Sequence, residues 1–238
     1  MAGKKTTTPD LPRTQRWWRE WRGFVLFIAV MLVFRSAIAD WNQVPTGSMI
    51  PSILEGDRIV VDKLAYDLRV PFTFVRLARW GDPQRSDVIT FESPKDDKLL
   101  VKRVIGVPGD EVQLVDNRLT INGQLAAYEQ VPSTRLPQKV AAILPHIEVN
   151  QETLLGQTRT VMTHRLRNAQ IRSSFGPTKV PADHYLVLGD NRDNSQDFRF
   201  IGFVHRDKVL GKANTIAFSL DYENYYLPRG DRFFRKLI

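Results

Sequence analysis

With no cysteine among its 238 residues, the chain has no thiol nucleophile, no disulfide scaffold and no cysteine–zinc site, so covalent catalysis would fall to a hydroxyl. Ser48 is placed for that role. It stands in Pro45-Thr46-Gly47-Ser48-Met49-Ile50-Pro51-Ser52, where prolines and a glycine impose a tight exposed turn whose backbone N–H groups are free to face a ligand. An ordinary Ser/Gly/Pro turn has the same composition, so the octapeptide does not decide by itself. A serine also needs a base. The four histidines, His146, His164, His184 and His205, have no paired spacing and no H-E-x-x-H setting, and nothing nominates a Ser-His-Asp triad. Lys102 is the better candidate, in Leu99-Leu100-Val101-Lys102-Arg103-Val104-Ile105-Gly106-Val107-Pro108-Gly109-Asp110. Strand alternation puts Lys102 on one face with Leu100 and Val104, and Arg103 on the other with Val101 and Ile105. Burial between aliphatics disfavours an ammonium and lowers its pKa, which frees a neutral amine to act as a general base. The competing reading is a lysine whose stem covers apolar surface while its head stays in water.

Two further blocks support rather than react. Glu55-Gly56-Asp57 is a turn leading into Arg58-Ile59-Val60-Val61, a strand. Gly189-Asp190-Asn191-Arg192-Asp193-Asn194-Ser195-Gln196-Asp197-Phe198-Arg199 follows an apolar strand and alternates acidic residues much as a calcium loop does. It lacks the Glu-terminated twelve-residue pattern, and Arg192 and Arg199 would repel a cation. A loop tied by its own ion pairs is expected there, and no metal.

The elements that must position these blocks read as β. Short apolar runs bounded by Gly, Pro, Asp or Asn recur at Arg58–Val61, Asp87–Phe91, Leu99–Val107, Glu111–Val115, Arg118–Ile121, Tyr185–Leu188 and Val209–Phe218. Asn122-Gly123 is a hairpin signal. Segment 124–183 is more polar and reads as an inserted subdomain.

The N-terminal part differs. Residues 1–22 form a basic tail, with Trp17, Trp18 and Trp21 among Arg16, Arg19 and Arg22 as an interfacial belt. Gly23 to Phe34 carries no charge in twelve residues, which as helix covers only about 18 Å of a hydrocarbon core of about 30 Å. Continuing through Arg35 to Trp41 reaches about 28 Å if Arg35 snorkels or finds a partner. The reading is an anchor at 23–41, with residues 42–238 on the far side of the membrane. A cleavable signal peptide ending at Ala37-Ile38-Ala39 is the rival. Net charge supports a membrane surface over nucleic acid: of the +8 total, +4 lies in residues 1–22 and +3 in 229–238, leaving +1 on the 206 residues between.

Thr46-Gly47-Ser48-Met49-x-Pro51, Gly56-Asp57, Lys102-Arg103-Val104-Ile105-Gly106-x-Pro108-Gly109-Asp110 and Gly189-Asp190-Asn191-Arg192-Asp193-Asn194-Ser195-x-Asp197, in this order behind an apolar N-terminal stretch, resemble bacterial type I signal peptidases. These are membrane-bound Ser/Lys proteases that remove signal peptides from exported proteins. The resemblance implies a mainly β catalytic domain behind a single N-terminal transmembrane helix, where some family members have two. It implies Ser48 as nucleophile, Lys102 as base, and an oxyanion hole of the Ser48 N–H and the Thr46 hydroxyl, where many relatives carry serine. Ser195 would hydrogen-bond and orient the lysine, while Asp197 and Arg199 would shape the site. Preprotein would add as a strand beside Gln43, Val44 and Pro45, with small pockets selecting alanine at the first and third positions before the cut. No cofactor is implied. The implied partners are preprotein signal peptides and membrane lipid, with room for association with the secretion machinery. The implied place is the bacterial inner membrane, single-pass, N-terminus cytoplasmic and catalytic domain periplasmic. Phe198, usually small and polar, and His205, often proline, depart from the pattern. A conjugation- or pilus-type processing peptidase of the same chemistry, or a non-catalytic periplasmic peptide-binding module, are the alternatives. A self-cleaving repressor would need a DNA-binding head where residues 1–41 offer an anchor.

Overall fold

In the computed structural model, which describes residues 13–73, 75–166 and 172–237, one long helix precedes a series of short strands separated by Gly, Asn and Asp turns. Helix α1 (Arg13–Ala37) runs almost directly into β1 (Ala39–Gln43). The helix expected to continue through Trp41 therefore stops at Ala37. From Ala39 onward the backbone groups are taken up by antiparallel pairing with Asp57–Asp62, Asp40 facing Val61 and Trp41 facing Val60. The helix also begins well before Gly23. Among the described residues no helix is long and apolar enough to cross a membrane.

Next come β2 (Asp57–Asp62), the small hairpin β3 (Asp67–Arg69) and β4 (Arg76–Arg79), then β5 (Val88–Glu92) and β6 (Leu99–Gly106). They are followed by β7 (Glu111–Val115), β8 (Arg118–Ile121), β9 (Gln124–Leu125), β10 (Ala127–Gln130), the short α2 (Gln138–Ala142), β11 (Ile147–Leu154), β12 (Gln157–His164) and β13 (Phe175–Lys179). The last are β14 (His184–Leu188), one turn of helix α3 (Phe198–Ile201), β15 (Val204–His205), the long β16 (Val209–Asp221), β17 (Leu227–Pro228) and β18 (Arg235–Lys236). The seven apolar runs read from the sequence all fall on strands of this series.

The main sheet has the order β1-β2-β16-β5-β6-β14-β15, with β17 and β18 added to β16. Since β6 and β14 are direct neighbours, everything between them is an insertion, built as a four-stranded sheet β13-β7-β8-β9 and a three-stranded sheet β10-β11-β12. It starts earlier than the expected residue 124, and it is rich in strands. Asn122 and Gly123, at φ 51° and 76°, have the doubly positive geometry of a hairpin turn, but that turn joins β8 to β9 inside the insertion rather than marking its border.

The C-terminal residues, expected to touch the membrane as a basic tail, instead strap the sheet. Arg232 is fully buried and donates from Nε to Asp57 Oδ1 at 2.9 Å and from Nη2 to Asp57 Oδ2 at 2.5 Å, while β18 pairs with β16 at Thr215 and Ile216. Asp57 also accepts the Leu54 N–H at 2.8 Å, which closes the turn between the Ser48 segment and β2. Arg232→Ala strands a buried carboxylate and should destabilise the fold by about 3–5 kcal/mol in denaturant unfolding. In a double-mutant cycle, Asp57→Asn should recover part of that loss; a loss of under 1 kcal/mol for Arg232→Ala alone would show the strap to be dispensable.

Candidate active site

Gly47–Met49 forms a single 3₁₀ turn that presents Ser48. Met49 and Ile53 are fully buried in a cluster with Val44, Ile59, Val61, Val88 and Ile216, so the turn is pinned from below by apolar packing while the Ser48 side chain stays half-exposed. The loop after β14 clasps it from the side. Asn191 donates its backbone N–H to the Ser48 carbonyl at 3.1 Å and its Nδ2 to the Gly47 carbonyl at 3.1 Å. Gly189 is what permits this approach: a Cβ there would lie 2.5 Å from the Ser48 carbonyl oxygen and 2.3 Å from Ser195 Oγ.

Lys102, on β6, reaches the same point across 54 residues of sequence. Its Nζ donates to Ser48 Oγ at 2.7 Å and to the Val101 carbonyl at 2.9 Å. The residue is 3% exposed, which excludes the reading of a lysine with its head in water. Burial pulls its pKa from 10.5 down to about 8, opposed by the negative charges of Asp197 and Asp190. Both carboxylates are already engaged by arginine forks, which limits that opposition. Arg103 holds Asp190 at 2.9 and 2.8 Å, and Arg199 holds Asp197 at 2.8 and 2.7 Å. Arg103 is the strand neighbour of Lys102, pointing to the opposite face as alternation requires. One strand thus supplies the candidate base on one side and the ion pair that fixes the clasping loop on the other.

The remaining expected residues divide. Thr46 Oγ1 lies 3.5 Å from Ser48 Oγ on the exposed side of the turn, close enough to share a bound carbonyl but not a short hydrogen bond. The Ser48 N–H, near the start of the 3₁₀ turn, belongs to the orphan donors of a helix beginning. Asp197 accepts the Gly189 N–H at 3.0 Å and caps α3 through the Arg199 N–H at 3.3 Å, so the pair holds the loop against the serine turn. Ser195 departs from expectation. Its Oγ is buried, lies against the Gly189 backbone and has no hydrogen-bond partner among the described residues, so the expected bond to Lys102 is not made here. The lysine's bonds go to Ser48 and Val101 instead. Gln43 and Pro45 are exposed at the open edge that β1 leaves on the main sheet, but Val44 is not available there. Its side chain is core, its N–H donates to the Asp57 carbonyl at 3.1 Å and its carbonyl accepts the Gly56 N–H at 3.3 Å. Antiparallel alternation then turns the backbone of Gln43 toward the unpaired side.

Reading the sequence overlooked the individual roles of Gly189, Asp190 and Asn191. Their signal is the placement of a glycine and two short polar residues directly after an apolar strand. The two departures from the family pattern lie in packing. Phe198 meets Phe175 and Phe203 at ring distances of 5.2 and 4.7 Å, and the His205 ring packs on His184 at 4.9 Å.

A family model described as signal peptidase, peptidase S26, matches residues 17–218. Signal peptidase I of Pseudomonas fluorescens is 35% identical over an alignment of 216 residues that covers 83% of this chain and 71% of the relative. Signal peptidase I of Pseudomonas aeruginosa is 34% identical over 213 residues with the same two shares, and that of Rickettsia bellii is 32% identical over 84% of this chain and 73% of its own. A crystal structure of a signal peptidase I from Enterococcus faecalis aligns at 30% identity over 56% of this chain and 97% of that one, with a TM-score of 0.34. With the family match spanning the serine turn, the lysine strand and the clasping loop, this chain belongs to the signal peptidase family, peptidase S26.

Proposed function

We propose that this signal peptidase cleaves preproteins with Ser48 as nucleophile and Lys102 as general base, and that the observation carrying this assignment is the 2.7 Å contact between Lys102 Nζ and Ser48 Oγ in a buried setting. Neutral Lys102 takes the serine proton as Oγ attacks the scissile carbonyl. The Ser48 N–H and the Thr46 hydroxyl hold the oxyanion, each donor worth about 3 kcal/mol in acyl-transfer sites generally. The lysine then protonates the leaving amine, and a water deprotonated by the same lysine releases the acyl group. Substrate lies as an added strand on the β1 edge, using the backbone of Gln43 and Pro45. Incubating the full chain with a preprotein and sequencing the new N-terminus tests the function: cleavage directly after an A-x-A site is expected, and an uncut preprotein would overturn it.

Ser195 is assigned a positioning role that it does not exercise in the arrangement seen here. A buried hydroxyl without a partner costs about 1–3 kcal/mol, which a rotation of the lysine head toward Ser195 during turnover would recover. Ser195→Ala should lower kcat about tenfold with little change in KM and shift the pH profile of kcat; wild-type kcat with an unmoved profile would leave Ser195 as packing against Gly189.

Although its uncharged stretch falls short of a full span, we assign helix α1 as a single-pass membrane anchor, with the N-terminal side cytoplasmic and the catalytic domain beyond the membrane. Its apolar side chains are exposed on every face, Phe24 at 56%, Leu26 at 64% and Val30 at 60%, which suits lipid and not water. Arg35, the awkward charge in this stretch, has the partner it needs: its guanidinium donates to Asp40 at 3.0 and 2.7 Å and stacks on Trp41 at 4.4 Å. In this reading Arg35 lies at the outer interface and Trp17, Trp18 and Trp21 at the inner one. The chain should stay in the membrane pellet after carbonate extraction; a soluble mature form starting at Asp40 would favour a cleaved signal peptide.

A further inference from the structure

The loop that clasps the serine turn is fastened to the insertion as well as to the main sheet. After β14 the chain from Asp190 to Arg192 lies alongside β12. The Met162 N–H donates to the Asp190 carbonyl at 2.8 Å, the Arg192 N–H donates to the Met162 carbonyl at 2.8 Å, and Asn191 forms a parallel bridge with Met162. Asp193 accepts the His164 N–H from β12 and Nδ2 of Asn117, in the turn between β7 and β8, each at 2.7 Å. Asn191, between the two residues bonded to Met162, gives its own donors to the carbonyls of Gly47 and Ser48. Bonds to the insertion and bonds to the serine turn thus alternate along three positions of one loop.

The junction also holds a buried ion pair. Glu152, on β11, is fully buried; its Oε1 accepts Arg192 Nη2 at 2.8 Å and Arg159 Nε at 2.6 Å, and its Oε2 accepts the Tyr128 hydroxyl at 2.6 Å. Burial pushes its carboxyl up, but the charges of Arg192 and Arg159 outweigh that and hold it at about 2, so it is ionised at any working pH. Arg192 is 1% exposed, and among the described residues its Nε and Nη1 have no hydrogen-bond partner. Burying a guanidinium with donors left over costs the fold more than an apolar side chain of similar length would. Stability gives no reason for an arginine here; position does. Its side chain is tied to Glu152, its N–H to Met162 and its carbonyl to Arg199 Nη2 at 2.5 Å, which leaves the Asn191–Arg192 peptide one orientation.

We propose that Glu152 is a positioning residue for the proteolytic reaction: through Arg192 it fixes Asn191, and through Asn191 the two carbonyls that aim Ser48, so that the insertion governs turnover at the site. This inference rests on the assignment of Ser48 and Lys102. Misplacing a reacting group by about 1 Å costs on the order of 100-fold in rate. Substrate in the proposed mode is held by β1 and not by this loop, so the effect belongs in kcat.

The test is Arg192→Met in the full chain, in neutral detergent, with one preprotein. Glu152 keeps Arg159 and Tyr128 in this variant, so no buried charge is stranded. The denaturant midpoint should equal or exceed that of wild type, while kcat falls between about 10- and 100-fold and KM stays within about twofold. The pH midpoint of kcat should remain near 8, because burial, Asp197 and Asp190 set the Lys102 pKa, and only the plateau should drop. Glu152→Gln should lower kcat in wild type but bring no further loss in the Arg192→Met background, because it acts through Arg192. Wild-type kcat in Arg192→Met overturns the proposal. So does a fall in kcat that comes with a lowered unfolding midpoint, which would make the ion pair scaffolding, or a second, additive fall in the double variant. If the double variant does not fold, the single one still decides. Failure of the underlying assignment looks different, since Ser48→Ala would then cut the preprotein like wild type.

Discussion

Ser48→Ala should abolish preprotein cleavage, with a fall in kcat of about 10⁶-fold by analogy with the loss of the nucleophile in other serine hydrolases. KM should change little, because in the proposed mode substrate is held along the β1 edge and not by Oγ. The fold should survive. Ser48 is half-exposed, its carbonyl and the Gly47 carbonyl are clasped through backbone-directed bonds from Asn191, and the packing below comes from Met49 and Ile53, none of which the substitution touches. Lys102 loses one hydrogen bond and keeps the one to the Val101 carbonyl, a cost of about 1 kcal/mol. Cleavage at the same bond within a few-fold of wild type would remove Ser48 from the chemistry. A conjugation- or pilus-type peptidase would lose activity with Ser48 in the same way, and would be told apart by cutting few preproteins.

The candidate pair of Ser48 and Lys102 is legible in the sequence because both residues sit in settings whose local rules are strong. Two prolines and a glycine leave few conformations for the Ser48 turn, and alternation along a strand assigns Lys102 and Arg103 to opposite faces without knowledge of the fold. The Asn122-Gly123 turn is readable for the same reason. What lies outside local rules is less so. Nothing about Arg232 distinguishes it from the cations around it in a polar terminus, yet it pairs with Asp57, 175 residues away. The end of α1 at Ala37 is decided by the competition of β2 for residues 39–43, a tertiary effect that helix propensity does not contain. The start of the insertion depends on β6 pairing with β14, which no spacing reveals.

Ser195 is the instructive case, since its motif is present and its bond is absent. The sequence places a serine at the right point of the loop, but where its hydroxyl points is settled by the contact with Gly189 and by the lysine's two other acceptors. Side-chain direction is the last thing a pattern of residue types specifies.

The pH behaviour of Lys102 should be visible in both rate and stability. With its pKa near 8, about a tenth of the lysine is neutral at pH 7, against roughly 0.03% for a lysine at 10.5, an advantage of about 300-fold. Activity should therefore climb about tenfold per unit below pH 8 and level off above it. Lys102→Arg should be inactive across the range, because a guanidinium keeps its proton. Stability also rises with pH, but over the range above pH 8. Unfolded, the lysine holds its proton up to about 10.5, whereas in the fold it releases it above about 8, so the buried ammonium costs about 3 kcal/mol below pH 8 and the cost fades as pH rises to 10.5. Lys102→Met removes that charge but gives up the bonds to Ser48 and Val101, about 1 kcal/mol each. The inactive methionine variant should then be about 1 kcal/mol more stable than wild type at pH 7 and about 2 kcal/mol less stable near pH 10.5. Denaturant unfolding at the two pH values reads the crossing directly. A difference that does not change with pH would mean that Lys102 titrates as an ordinary lysine, and the proton that Ser48 must lose would have to go elsewhere.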